Sequence, residues 1–163
     1  MKSLKKSKAQ KTILPEKSDL RKKVGNSGES RAKEYLIKNG YEIVATNYRV
    51  RGGEIDIVAF KADAGCRNDL APEKNSTRNA HEKQNGEGIL VFVEVKTLPS
   101  GNMELLSKEL NLQKQKRIVE TAKYFILNNR KYSNCYIRFD VVVVDMPALP
   151  EVYHIENAFS EFS

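Results

Sequence analysis

Short apolar runs bounded by turn residues predict five β-strands in this chain. They lie at residues 41–50, 54–60, 88–98, 136–146 and 151–159. Gly52 and Gly53 supply the turn between the first two strands. The run at 136–146 is rich in β-branched residues, which is typical of a buried strand.

Two segments with helical spacing accompany these strands. In residues 26–40, Ser27 is a candidate N-cap and Gly40 ends the helix. Residues 105–128 are predicted as a single long helix, because apolar residues recur there at helical spacing. The resulting order, α-β-β-β-α-β-β, predicts an α/β fold in which helices flank a mixed β-sheet.

Residues 61–88 lose all periodicity and consist mostly of polar, charged and small residues. We expect a mobile, protease-sensitive insertion at a hairpin tip, because so little apolar surface does not offset the entropy of ordering. A hairpin tolerates it, since each doubling of a flexible loop costs only about 0.6 kcal/mol. Residues 24–163 are therefore predicted as one domain that carries this polar insertion.

The net charge of +7 is confined to the start of the chain. Residues 1–23 hold nine Lys or Arg against two acidic residues, and the rest of the chain carries 19 of each sign. We predict a disordered basic arm over residues 1–23. Such an arm suits a polyanion, because each cation placed on a phosphate releases a counterion. A solvated tail that only aids solubility is the alternative.

No segment predicts secretion or membrane insertion. Ile13 and Leu14 form the longest apolar pair after the basic residues, which is too short for a signal peptide. No apolar run approaches the length of a membrane span. Cys66 and Cys135 lie far apart, in contexts unlike metal or redox motifs. These features favour a reduced, cytoplasmic protein.

Carboxylates interrupt the apolar pattern of two neighbouring strands. Alternation places Glu94 and Lys96 on one face of their strand, and Glu54 and Asp56 on one face of the other. If the two strands pair, Asp56 comes beside Glu94. Two carboxylates buried together are unfavourable unless protons or a cation compensate. Lys96 supplies one positive charge, and a divalent metal would supply two.

This set of residues fits phosphodiester hydrolysis. Asp56 and Glu94 offer the hard oxygen ligands that Mg²⁺ prefers, and Lys96 could orient the attacking water. The alternative is a buried salt bridge, since E-x-K alone is a weak signal. If the acids serve a metal, replacing either by its amide should abolish metal binding and leave the metal-free protein equally or more stable. A structural ion pair predicts a loss of stability instead.

Two further polar residues are predicted to point inward from the helices. Glu29 lies at the buried edge of the first helix, and Lys114 lies on the apolar stripe of the long helix. A glutamate that interacts with the helix dipole explains Glu29 equally well. A lysine that reaches from the helix edge into solvent is the alternative for Lys114.

Five blocks of the sequence carry a family resemblance. In order they are GESRAKEYLIKNGYEIVATNYRVRGGEIDIVAF, LVFVEVKT, KQKRIVETAKYFI, RFDVVVV and HIENAF. They resemble the YraN-like proteins, and the match runs from about Gly28 to Phe159 without the insertion. The resemblance implies a restriction-endonuclease-like fold of the P-D…(D/E)-x-K nuclease superfamily, which includes Holliday-junction resolvases. Leu98 departs from it, because the family usually has arginine there.

The resemblance implies roles for individual residues. The catalytic set is Asp56, Glu94, Lys96, Glu29 and Lys114. The metal ligands, for Mg²⁺ or alternatively Mn²⁺, are Asp56, Glu94 and Glu29. We also predict four nucleic-acid contacts, at Lys22, Lys23, Arg51 and Arg117.

Three functional hypotheses remain open at this point. The first is a metal-dependent endonuclease that acts on branched or structured DNA, with the arm and insertion around the duplex and, by analogy with resolvases, a homodimer. The second is a non-catalytic nucleic-acid-binding module of a repair or recombination complex. The third is a small interaction protein whose acids form only structural ion pairs. Only the first predicts strand cleavage, and the third predicts no effect of metal on thermal stability.

Overall fold

A computed structural model describes residues 17–62 and 88–161. Its elements are α1 (Lys17–Lys38), β1 (Glu42–Val50), β2 (Gly53–Ala62), β3 (Gly88–Thr97), α2 (Met103–Glu109), α3 (Leu112–Asn128), a 3₁₀ turn (Arg130–Tyr132), β4 (Tyr136–Val144) and β5 (Val152–Phe159). The five predicted strands are confirmed to within two residues at each end. The predicted α/β fold is confirmed as well.

The described strands form one five-stranded sheet in the order β1-β2-β3-β4-β5. β3 and β4 run parallel, and the other neighbours are antiparallel. Parallel neighbours need a long crossover, and α2 with α3 supplies it. The predicted mixed sheet flanked by helices is therefore present.

The pleat of β3 divides the core into two apolar clusters, one on each face of the sheet. Phe92 belongs to the cluster that contains Ile118 of α3, and Val93 belongs to the cluster that contains Leu36 of α1. Glu94 is next in the chain, so alternation points it to the side of Phe92. This places the acid of the E-x-K motif under α3.

α1 begins at Lys17 and not at the predicted Ser27 cap. The predicted disordered arm is therefore wrong for residues 17–23, which are helical, while residues 1–16 lie outside the described part. Lysine, arginine and leucine in this stretch are good helix formers, so the helix extends towards the N-terminus past Ser27. Ser27 was a candidate cap only because serine is favoured at that position. The predicted stop is confirmed, since Gly40 follows the helix with a left-handed φ of 82°.

The predicted long helix is two helices, so the prediction of one is wrong. Asn102 caps α2 and Asn111 caps α3. The Asn111 side chain accepts a hydrogen bond from the backbone N–H of Lys114 at 3.0 Å. The asparagine side chain thus takes the place of a backbone carbonyl as hydrogen-bond acceptor and starts a new helix. The spacing of apolar residues on either side gives no sign of this break.

The hairpin of β2 and β3 extends further than predicted. Lys61 pairs with Ile89 and Ala62 pairs with Gly88, so the ends of the predicted insertion belong to strands. Residues 63–87 lie outside the described part of the chain. Their protease sensitivity stays a prediction.

Candidate active site

A cleft of about 800 Å³ lies at the carboxyl end of β3. Among the described residues, it is lined by five carboxylates and two lysines: Glu29, Glu54, Asp56, Glu94, Glu109, Lys96 and Lys114. All five predicted catalytic residues are in this set. Residues from α1, β2, β3, α2 and α3 thus meet in one place.

Asp56 is positioned by the point at which β2 and β3 stop pairing. The paired register ends at Ile57 and Val93. Beyond it, the backbone N–H of Val95 donates to the Asp56 carboxylate at 2.8 Å. A side chain therefore takes the acceptor role of a strand backbone, and Asp56 is held against the E-x-K segment.

The environment of Asp56 disfavours its charge. Burial and the neighbouring Glu94 charge raise the pKa of Asp56 from 3.8 to about 7, against the opposing hydrogen bond from Val95 and the charge of Lys114. At neutral pH this carboxyl is therefore divided between its two protonation states. A nearby dication would favour the ionised form.

The two oxygens of Glu94 have different surroundings. Its side chain is only 3% exposed, and Oε1 lies 3.1 Å from Lys96 Nζ and 3.0 Å from Lys114 Nζ. Oε2 is buried and has no hydrogen-bond partner among the described residues. An unsatisfied buried acceptor is uncommon and costs free energy.

Lys96 is held between two carboxylates. Its ammonium lies 3.1 Å from Glu94 and 3.5 Å from Glu109 of α2. Burial acts to lower the pKa of Lys96, but the charge and hydrogen bond of Glu94 outweigh it, and the net shift is upward. Lys96 is therefore a fixed cation at neutral pH.

Glu29 faces the cleft from α1, where Gly28 packs against the Thr97 side chain without room for a Cβ. Its carboxylate accepts a hydrogen bond of 2.9 Å from Asn47, whose backbone has a φ of 51°. Within residues 17–62 and 88–161, no three His, Cys, Asp or Glu side chains are grouped to hold a metal. Glu29 lines the cleft, but its role as a third metal ligand stays a prediction.

The predicted nucleic-acid contacts are distributed around this cleft. Arg117 of α3 lines an adjoining cavity, and Arg51 is exposed in the turn between β1 and β2. Lys22 and Lys23 lie in α1, but their side chains are outside the described part. The structure thus places Arg117 next to the site, and all four nucleic-acid contacts stay predictions.

Sequence reasoning missed Glu109 and Asn47. Glu109 was hidden by the prediction of one long helix, because its position at the end of α2 depends on the break before Asn111. The asparagine itself is the signal that could have shown this break. Asn47 lies in a strand that otherwise fits its pattern, and no local signal links it to Glu29.

Within the described part of the chain, no helix is both long and apolar enough to span a membrane.

Comparison with known proteins gives a family assignment. The model of the "Uncharacterised protein family UPF0102" matches residues 28–144. A UPF0102 protein of Treponema denticola is 40% identical over 142 residues, which cover 85% of this chain and 95% of the relative. One of Lachnoclostridium phytofermentans is 38% identical over 144 residues, which cover 88% and 98%. These matches confirm the resemblance to the YraN-like proteins, and the chain belongs to the UPF0102 family.

Proposed function

We propose that this protein is a metal-dependent phosphodiester hydrolase that acts on nucleic acid, with the cleft around Asp56 and Glu94 as its active site. The observation that carries the proposal is the Oε2 atom of Glu94, which is buried without a hydrogen-bond partner among the described residues. A divalent cation shared with Asp56 would satisfy that oxygen. It would also offset the burial and the neighbouring Glu94 charge that together raise the pKa of Asp56.

The donor set suits Mg²⁺, with Mn²⁺ as the alternative. Mg²⁺ keeps several waters and is commonly bound through one or two carboxylates together with substrate phosphate. Asp56 and Glu94 meet this need without a third protein ligand. When bound, the metal supplies Lewis-acid polarisation of the phosphoryl oxygen and acidifies a water.

The lysines have separate roles in this proposal. Lys96 is a cation at neutral pH and is fixed by Glu94 and Glu109, so it is placed to orient the attacking water and stabilise charge on the phosphoryl oxygens. Lys114 reaches the same Glu94 oxygen from α3 and offsets the negative charge of the cleft. Asp56 must be ionised to bind the metal, so binding releases a proton near neutral pH.

A structural ion-pair cluster is the competing interpretation. One observation favours it, since Lys96 and Lys114 both contact Glu94 Oε1, as they would in a purely structural cluster. Such a cluster gives no reason to place a second, partly buried carboxyl, Asp56, beside Glu94. It also gives no reason for the unpartnered Oε2 atom.

The proposal extends to DNA as the nucleic acid, branched DNA as its preferred form, a homodimer and a cytoplasmic location. The first three rest on the family resemblance. The location rests on the reduced state that the cysteine pattern predicts and agrees with Cys135, which is a free, buried thiol.

The test is a cleavage assay with the full chain on labelled linear, flapped and four-way DNA, in Mg²⁺, Mn²⁺ or EDTA. We expect cleavage only with metal, and none by Asp56→Asn. The matched control is Glu120→Gln, which removes an exposed acid of α3 that pairs with Lys123. The proposal is wrong if the parent protein cleaves nothing and neither metal changes its thermal midpoint.

A further inference from the structure

A second cavity, of about 390 Å³, lies between the β1–β2 turn and α3. Its lining includes three cations and one carboxylate among the described residues: Arg49, Lys114, Arg117 and Glu54. The backbones of Gly52 and Gly53 complete the wall. Its charge therefore favours an anion, in contrast to the acidic cleft.

The two cavities adjoin, because Glu54 and Lys114 line both. The acidic cleft suits a cation, and the basic cavity suits an anion immediately beside it. A nucleic-acid strand carries a phosphate on each successive nucleotide. One phosphate over the cation therefore places a neighbouring phosphate near the basic cavity.

The basic cavity is built by a close approach of the turn to α3. A Cβ at Gly53 would lie 2.5 Å from Thr121 Oγ1 and 3.1 Å from the backbone oxygen of Arg117. Thr121 donates to that same oxygen at 2.7 Å. Glycine therefore allows the turn to pack directly on the helical turn that carries Arg117, so the cavity is formed before any ligand binds.

Glu54 forms an ion pair with Arg49 at the wall of the basic cavity. Arg49 Nε lies 3.2 Å from Glu54 Oε2, and the two side chains are 70% and 49% exposed. An exposed ion pair of this kind is weak. A phosphate, which offers more acceptor oxygens, can replace the carboxylate at Arg49.

From these contacts we propose that the basic cavity is a subsite for the phosphate next to the scissile one. Arg117 and Arg49 bind this phosphate, and the Glu54 carboxylate competes with it for Arg49. The inference rests on the proposed function and narrows it, because the substrate is then an oligonucleotide with a flanking phosphate and not a simple phosphodiester. Removing either arginine should weaken binding. Removing the Glu54 charge should strengthen it.

The experiment is an NMR titration of the full chain in EDTA with three thymidine dinucleotides. One carries only the bridging phosphate, and the other two carry a terminal phosphate in addition, one at the 5′ end and one at the 3′ end. We expect the terminal phosphate to tighten binding by roughly threefold to tenfold, as a charge-assisted hydrogen bond at an exposed site would. The backbone amide signals of Gly52 and Gly53 should shift.

Variants give effects of opposite sign. Arg117→Gln and Arg49→Gln should lose the preference for the terminal phosphate, whereas Glu54→Gln should increase it. Arg130→Gln and Glu120→Gln are the charge-matched controls on exposed positions outside the cavity. Thermal midpoints confirm that each variant is folded.

The outcomes separate this subsite from the proposed function. If the parent protein cleaves no DNA and does not respond to metal but retains the preference, the cavity is a phosphate-binding site and the hydrolase proposal fails. If DNA is cleaved but the terminal phosphate does not tighten binding, or Arg117→Gln loses no more affinity than Arg130→Gln, the subsite is overturned and general surface charge explains the binding.

Discussion

The carboxylate of Asp56 accepts a hydrogen bond of 2.8 Å from the backbone N–H of Val95. Val95 lies between Glu94 and Lys96, and both of these line the cleft. One hydrogen bond therefore ties the acid of β2 to the E-x-K motif of β3, just past the last paired residues of the two strands. The same hydrogen bond makes Asp56 the best place to separate a functional role from a structural one.

Asp56→Asn should stabilise the metal-free protein in a pH-dependent way. The pKa of Asp56 is about 7 in the folded protein and 3.8 in its ordinary, unperturbed state, so the folded protein binds more protons than the unfolded chain between these values. The unfolding free energy of the parent should therefore fall as pH rises from about 4 to about 7, then level off. This fall in unfolding free energy, on the order of a few kcal/mol, should be absent in the variant. The amide oxygen of the new side chain should still accept the hydrogen bond from Val95.

Urea unfolding in EDTA across this pH range measures the effect. The variant should exceed the parent at about pH 8 and match it near pH 4, and its midpoint should no longer respond to Mn²⁺. A variant that is less stable at every pH would show that Asp56 is a structural partner.

Glu94→Gln should behave differently and destabilise the metal-free protein. Lys96 and Lys114 share Glu94 Oε1, and removing its charge leaves two cations close together. The loss should stay below about 3 kcal/mol, because both lysines are partly exposed and breaking a fully buried pair costs about 3 to 5 kcal/mol. From the contacts in this structure we therefore expect unchanged or higher stability for Asp56→Asn alone.

The double variant Glu94→Gln with Lys114→Met provides the control. It should recover most of the stability that Glu94→Gln loses, as measured by urea unfolding, because only one lysine is left. It should not recover Mn²⁺ binding by calorimetry. Equal losses in the single and double variants would contradict the shared-oxygen geometry.

Lys96→Met should separate metal binding from turnover. Its ammonium contacts Glu94 and Glu109 and is not itself a metal ligand, so the Mn²⁺ effect on the thermal midpoint should persist. Cleavage should fall by about 100-fold or more, as when a group that stabilises transition-state charge is lost. Lys108→Met, at an exposed lysine of α2, is the control. Unchanged cleavage in Lys96→Met would remove Lys96 from the catalytic set.

Removal of residues 1–16 should weaken DNA binding and reduce its salt dependence. These residues hold five lysines and one glutamate, and the truncation leaves α1 whole. The slope of log K against log salt should fall by roughly 0.9 for each phosphate that the truncated protein no longer neutralises. Fluorescence anisotropy at several salt concentrations measures it, and an unchanged slope would identify the segment as a solubility tail.

Asp140→Asn tests a buried acid outside the cleft. Asp140 is fully buried and accepts from Arg138, His154 and the backbone of Asn157. Burial acts to raise the pKa of Asp140, but the hydrogen bonds from His154 and Arg138 outweigh it and the net shift is downward. The stability that ionised Asp140 contributes to the fold is therefore present above about pH 4, and it is lost as pH falls through the lower pKa of the folded protein.

The substitution should cost about 3 kcal/mol at neutral pH, because it leaves Arg138 without its buried partner. The difference from the parent should shrink in acid, as measured by thermal unfolding. Glu156→Gln, at an exposed partner of the same arginine, should cost much less. A loss that is the same at acidic and neutral pH would contradict an ionised Asp140.

Local patterns in the sequence were enough to predict the strands and the faces of the E-x-K motif. Glu94 and Lys96 share a face because side chains on a strand alternate, and this holds whatever the strand packs against. The turn at Gly52 and Gly53 and the end of α1 at Gly40 were predicted for similar reasons. In each case the signal lies within a few residues of the feature.

Tertiary structure decided which of these residues meet. Lys114 contacts Glu94 only because α3 packs against β2 on the face of the sheet to which Glu94 points, and Glu29 bonds to Asn47 only because Gly28 lets α1 approach Thr97. Such contacts depend on strand register and helix packing, and residues far apart in the chain carry no periodic trace of them. Local sequence set the chemistry available on each element, and the packing of those elements brought five carboxylates and two lysines into one cleft.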